Sequence, residues 1–154
     1  HHAGGFFPSY RPSFQFQTRY SRFIWARDIK AVPVEEVRKL LAVELPEKVW
    51  WERLVYRRER EEGYDLIVHF VRIPPTEEWD IEWVDEPEPL EGVEVALMGV
   101  EETPATVQAC RPYHFEEPQQ VVQTELEPRA EANELTVEVP PFRYHSMLVF
   151  RFGQ

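Results

Sequence analysis

Alternation dominates this chain. Leu135, Val137 and Val139 alternate with Thr136 and Glu138. Side chains that change faces at every residue are what a half-buried strand requires. Similar apolar runs recur at 49–59, Tyr64–Ile73, 92–99, 105–115, 119–126, 134–139 and 143–152. The first two read as a hairpin: Gly63 tolerates positive φ after Glu61-Glu62, and Pro74-Pro75 ends the second strand because proline has no N–H to donate. Glu101–Pro104, Glu116–Pro118 and Glu127–Asn133 separate the later runs. The spacing predicts an all-β, mainly antiparallel fold, a Greek-key β-sandwich of about seven to eight strands with one short helix. That helix is Pro33–Leu41, with Pro33 in its first turn, Glu35 and Glu36 early and Arg38 and Lys39 late, as the helix dipole prefers.

The first residues follow a second pattern. Phe14, Phe16, Thr18 and Tyr20 alternate with Ser13, Gln15, Gln17 and Arg19, which predicts a strand over 13–20. Tyr20, Phe23 and Ile24 also fall at helical spacing, so 21–27 stays open between the two states. Residues 1–30 are accordingly expected to be a basic aromatic arm or the end of a preceding domain, and 31–154 a β-sandwich domain.

Composition sharpens that division. Four of the 17 Lys and Arg fall in residues 1–27, and none of the 28 Asp and Glu do, so a basic arm precedes an acidic body. The net charge of -11 excludes a general nucleic-acid binder, which needs excess cations, and disfavours anionic membranes. No apolar run reaches the roughly 18 residues of a membrane helix, and no signal peptide is visible. With 154 residues and 43% hydrophobic content, one domain with one core is expected. Fourteen prolines against six glycines resemble thermophile loop chemistry. The chain opens His1-His2-Ala3 without Met, which reads as a processed product, a tagged one or a fragment of something longer.

Catalytic signatures are sparse. The glycines form no phosphate loop, and neither a GxSxG elbow nor an HExxH pair occurs. His69 lies among Val68, Phe70 and Val71 and reads as a core histidine. His114 and His145 could meet across strands with Glu116 as a zinc or copper site, although no ligand spacing supports it, and no metal or cofactor is expected. A lone Cys110 excludes an internal disulfide and reads as a buried structural thiol. Asp80 and Glu82 lie on an acidic loop at 74–90 that lacks the EF-hand pattern. On the same loop, Trp79 and Trp83 could stack on sugar rings or fold back over the sandwich end. Trp50 and Trp51 are adjacent, so in a strand one faces the core and the other faces outward.

Four segments together carry a resemblance: His1–Pro12, Arg19–Trp25, Asp65–Phe70 and Pro140–Val149. They resemble the C-terminal part of TIM-barrel glycoside hydrolases of the dextranase and cycloisomaltooligosaccharide glucanotransferase kind. The resemblance implies that 1–30 corresponds to the end of the barrel and 45–152 to an accessory sandwich. The catalytic carboxylates of such enzymes lie in the barrel, so none is carried over to this chain. The first 27 residues are too short and strand-like for a last barrel helix, which fits a fragment or a stand-alone domain.

Two functions follow as expectations. In the first, the chain is a non-catalytic accessory sandwich of a carbohydrate-active protein. It docks on a catalytic domain of its parent through Trp50 or Trp51 and touches glycan through Trp79 and Trp83, with an extracellular or cell-surface location favoured. In the second, identical subunits self-assemble by adding the arm as a strand to a neighbouring sheet, with Phe14, Phe16 and Tyr20 as anchors and Arg11, Arg19 and Arg22 as steering charges. A small enzyme built from His69, His114 and His145 ranks last.

Overall fold

The computed structural model describes residues 12–13, 15–72, 88–114 and 116–154. Within them the chain is an antiparallel β-sandwich. A seven-stranded sheet contains β1 (Ile29–Ala31), β4 (Val55–Arg60), β5 (Gly63–Arg72), β11 (His145–Gly153), β7 (Thr106–Arg111) and β8 (Val122–Leu126) in that order, with β3 (Val49–Trp50) also paired to β5. A four-stranded sheet runs β2 (Leu41–Glu44), β6 (Glu94–Met98), β10 (Glu134–Glu138) and β9 (Arg129–Glu131). The chain crosses between sheets after β1, β2, β5, β6, β8 and β10, and β11 returns to lie between β5 and β7.

Period two decides which side chains meet. Leu66, Val68, Phe70, Leu148 and Phe150 point inward from the large sheet to meet Leu41, Val95, Leu97 and Val137 of the small one in the main core. The residues between them on the large sheet, Ile67, Met147, Val149 and Cys110, point the other way into a second cluster. This explains the unbroken apolar run Leu66-Ile67-Val68: a strand covered on both faces loses its polar alternation.

The cover on the outer face is the N-terminal segment, and here the structure corrects the sequence. Residues 15–19 are helical (α1), not the strand expected over 13–20, and a further turn, α2 (Ser21–Ile24), follows. Phe16, Tyr20 and Phe23 satisfy helical spacing, so one stripe carries all three into the second cluster. The third helix, α3 (Val34–Leu40), lies where one was expected, with Pro33 as its non-helical cap and Leu41 already in β2, and its Val37 is fully buried.

The β5–β11 ladder is closed tightly at one end. Gly63 pairs with Gly153, both at positive φ, and a Cβ on either would strike a carbonyl of the facing strand, that of Phe152 or Glu62 respectively. Beside them, fully buried Asp65 accepts from Arg60 Nε at 3.1 Å and Arg151 Nε at 3.2 Å. Arg60 also donates to the Phe152 carbonyl at 2.6 Å. A buried carboxylate is tolerable because two guanidinium groups share it.

Candidate functional site

The outer face of the seven-stranded sheet brings together six of the residues singled out in the sequence: Phe16, Tyr20, Trp50, His69, Cys110 and His145. Register sets its rows. Trp50, Val71 and His145 lie side by side, and His69, Met147, Cys110 and Gln123 form the next row. His69 and His145 are therefore diagonal neighbours on one face, within reach of each other. Their rings stack at 5.2 Å and 24°, with His69 Nδ1 and His145 Nε2 2.9 Å apart. One ring must donate and the other accept.

Aromatic rings enclose the pair. Phe16 of α1 meets His145 edge-on at 4.9 Å, and Tyr56 of β4 meets His69 edge-on at 5.8 Å. Tyr20 packs on Phe16 at 5.0 Å and donates its hydroxyl proton to Gln123 Oε1 at 2.8 Å. Burial pulls the pKa of His69 down to about 4. Burial, aided by repulsion from His69, pulls His145 down to about 3. Both rings are thus neutral near pH 7. Burial also pushes up the Cys110 thiol and the Tyr20 phenol, so neither offers an anion there. The arrangement is a dry, neutral aromatic seam that fastens the helices to the sheet.

His145 is thus engaged with His69, and His114 and Glu116 make separate pairs instead of meeting it. Glu116 binds Arg143 at 2.6 Å, and Glu117 forms two bonds with Arg111 at 2.8 and 2.6 Å. Glu117 also accepts the His114 backbone N–H at 2.8 Å, and its pKa is held down to about 2, first by Arg111. Among the described residues, no group of three or more His, Cys, Asp or Glu side chains is placed to hold a metal ion.

The border of the face is aromatic and open. Trp50 is 58% exposed, whereas Trp51, just past β3, is partly buried against the main core. Trp25, just past α2, is 70% exposed. Phe16 and Tyr20, expected as intermolecular anchors, are consumed by the protein's own second cluster, while Arg19 and Arg22 lie on the exposed surface. Arg11, Phe14, Trp79, Asp80, Glu82 and Trp83 lie outside the described residues. Sequence reading missed the His69–His145 contact and the exposure of Trp25. Only the matching outward parity of His69 and His145, once β5 and β11 are paired, could have signalled the former.

The fold defines the class as an antiparallel β-sandwich with one outer face roofed by helices. No family model and no curated protein matches the chain. Among solved structures, the chain is similar to a cycloisomaltooligosaccharide glucanotransferase from Paenibacillus sp., solved with cycloisomaltoheptaose. That likeness has a TM-score of 0.61 at 15% identity and covers 90% of this chain and 20% of that one. It is also similar to alpha-L-fucosidase isoenzyme 2 from Paenibacillus thiaminolyticus, with a TM-score of 0.46 at 22% identity over 75% of this chain and 16% of that one. The glucanotransferase shares the sandwich fold, in line with the resemblance read from the sequence segments, and this chain spans about a fifth of its length.

Proposed function

We propose that the chain is a non-catalytic accessory β-sandwich of a carbohydrate-active, glycoside hydrolase-like protein, built to dock on a catalytic domain or a glycan. The observation that carries this reading is the fold likeness to the glucanotransferase, which takes in 90% of this chain but 20% of that enzyme. The described chemistry supports it. The paired histidines and Cys110 are occupied in packing, and the open side chains are aromatic. Trp50 stands free on the outer face for a catalytic domain to cover, and Trp79 and Trp83 are assigned the glycan. An indole offers a large rigid face for stacking on a sugar ring.

The test is calorimetric titration of the chain with cycloisomaltoheptaose and with dextran, alongside a reducing-sugar assay. Saturable binding is expected, lost in Trp79→Ala/Trp83→Ala and kept in Trp50→Ala. Release of reducing ends by the purified chain would refute the non-catalytic reading, and absence of binding to either glucan would remove the glycan part.

A further inference from the structure

We propose that the two outer faces of the sandwich bind each other, so that copies of this chain associate head to tail. This stands on charge placement and is independent of the carbohydrate reading.

The first face is the outside of the four-stranded sheet. Register sets Glu44 opposite Glu94, and Glu94 opposite Glu138, so three carboxylates form one row across three strands. Like charges directly opposite are destabilising. Among the described residues Arg129 reaches this row, at 3.1 Å from Glu94, while Glu44 and Glu138 are exposed and have no described ion-pair partner. The adjacent row, Ala42, Ala96 and Thr136, is small and forms a low floor. An open cleft of about 480 Å³, lined in part by Val100, Glu101, Ala130, Glu134 and Leu135, lies at the opposite end of the sheet from this row, where Met98 pairs with Glu134. The surface therefore offers two unneutralised carboxylates, Glu44 and Glu138, beside a low floor of small side chains, the complement of a cationic surface bearing a large ring.

The second face has that composition. α1 and α2 roof the seven-stranded sheet, and residues 1–27 hold no acid. Arg19, Arg22 and Arg27 are exposed there, and Trp25 stands 70% exposed among them. The main core lies between the two sheets and the helices lie on the far side of one of them, so the two faces look in opposite directions. A contact between unlike faces on opposite sides does not close on a two-fold axis and propagates. α1 and α2 keep their helical form, and Phe16 and Tyr20 stay in place, unlike in strand addition. The net charge of -11 opposes association at very low salt, while high salt screens the contact itself, so association peaks at intermediate ionic strength.

Sedimentation velocity of the full chain over a concentration series tests this. An arm variant, Arg19→Gln/Arg22→Gln/Arg27→Gln, keeps the acidic face, and a sheet variant, Glu44→Gln/Glu138→Gln, keeps the basic one. Wild type is expected to form a concentration-dependent ladder of oligomers. Each variant alone is expected to associate at least tenfold more weakly, and an equimolar mixture of the two to give a one-to-one dimer that grows no further. Circular dichroism verifies folding, and the milder Arg22→Gln and Glu138→Gln replace any variant that does not fold. A wild type that stays monomeric at all concentrations and salts overturns the proposal. So does either variant polymerising as wild type does, or a mixture that remains monomeric.

Discussion

Replacing Phe16 by Ala tests whether the N-terminal helices belong to this protein's own core. The Phe16 ring is fully buried, tilted against Tyr20 at 5.0 Å and edge-on to His145 at 4.9 Å. Complete burial of an aromatic side chain, at about 25 cal/mol per Å², contributes roughly 4 kcal/mol. Measured Phe→Ala changes in cores span about 3–5 kcal/mol once the residual cavity is included. Against a total stability of about 5–15 kcal/mol this is a large loss, and it lowers Tm by roughly 8–16 °C for a chain of this size. The assay is urea unfolding followed by far-UV circular dichroism and tryptophan fluorescence, with Phe16→Leu recovering most of the loss. The loss must be independent of protein concentration, because the pocket lies within one chain. A change below about 1 kcal/mol, or one that grows on dilution, would refute the reasoning and make the arm an intermolecular element.

Acid weakens the fold through the histidine pair. Both rings titrate near 6.5 when unfolded but at about 4 and about 3 in place, so the unfolded chain takes up protons first. Stability is full above the unfolded value and falls by up to about 1.4 kcal/mol per pH unit per histidine as pH drops towards the folded values. Urea midpoints from pH 7 to pH 4.5 read this slope, which His69→Gln reduces; a flat profile in wild type counts against the pair. Arg60→Ala leaves buried Asp65 with one cation and frees the Phe152 carbonyl, and is expected to cost about 3–5 kcal/mol in the same assay. Gly63→Ala is expected to destabilise by more than about 2 kcal/mol, from strain at positive φ and collision with the Phe152 carbonyl, whereas Gly92→Ala, also at positive φ but in open space, retains only the strain.

Strand patterning was legible wherever one face of a strand meets solvent. β10 runs over Glu134–Glu138 where 134–139 was expected, and β4 and β5 form the hairpin turned at Glu61 and Glu62. Short edge pieces such as β1 and β9 carry three residues each, too few to show a period, and exist because a neighbouring strand supplies partners. The arm misled for a different reason. Phe16, Tyr20 and Phe23 fit a helical stripe as well as Phe14, Phe16 and Tyr20 fit an alternating one, and the second cluster of the large sheet decides between them. The histidine contact joins residues 76 apart through a β5–β11 register that no local spacing encodes.

That register also fixes when the domain can form during synthesis. β11 is the central strand of its sheet, flanked by β5 and β7, yet it is the last of the strands to be made. Until Gly153 has emerged, the apolar faces of β5 and β7 have no partner between them, and β5 presents Leu66 to Phe70 to whatever it meets. Closure across such a separation is slow, and incomplete chains expose adhesive strand edges. The large sheet therefore cannot close progressively from its beginning: a nascent chain stalled anywhere before β11 is expected to be a target for chaperones and proteases, and completion of β11 is the step that joins β5 to β7.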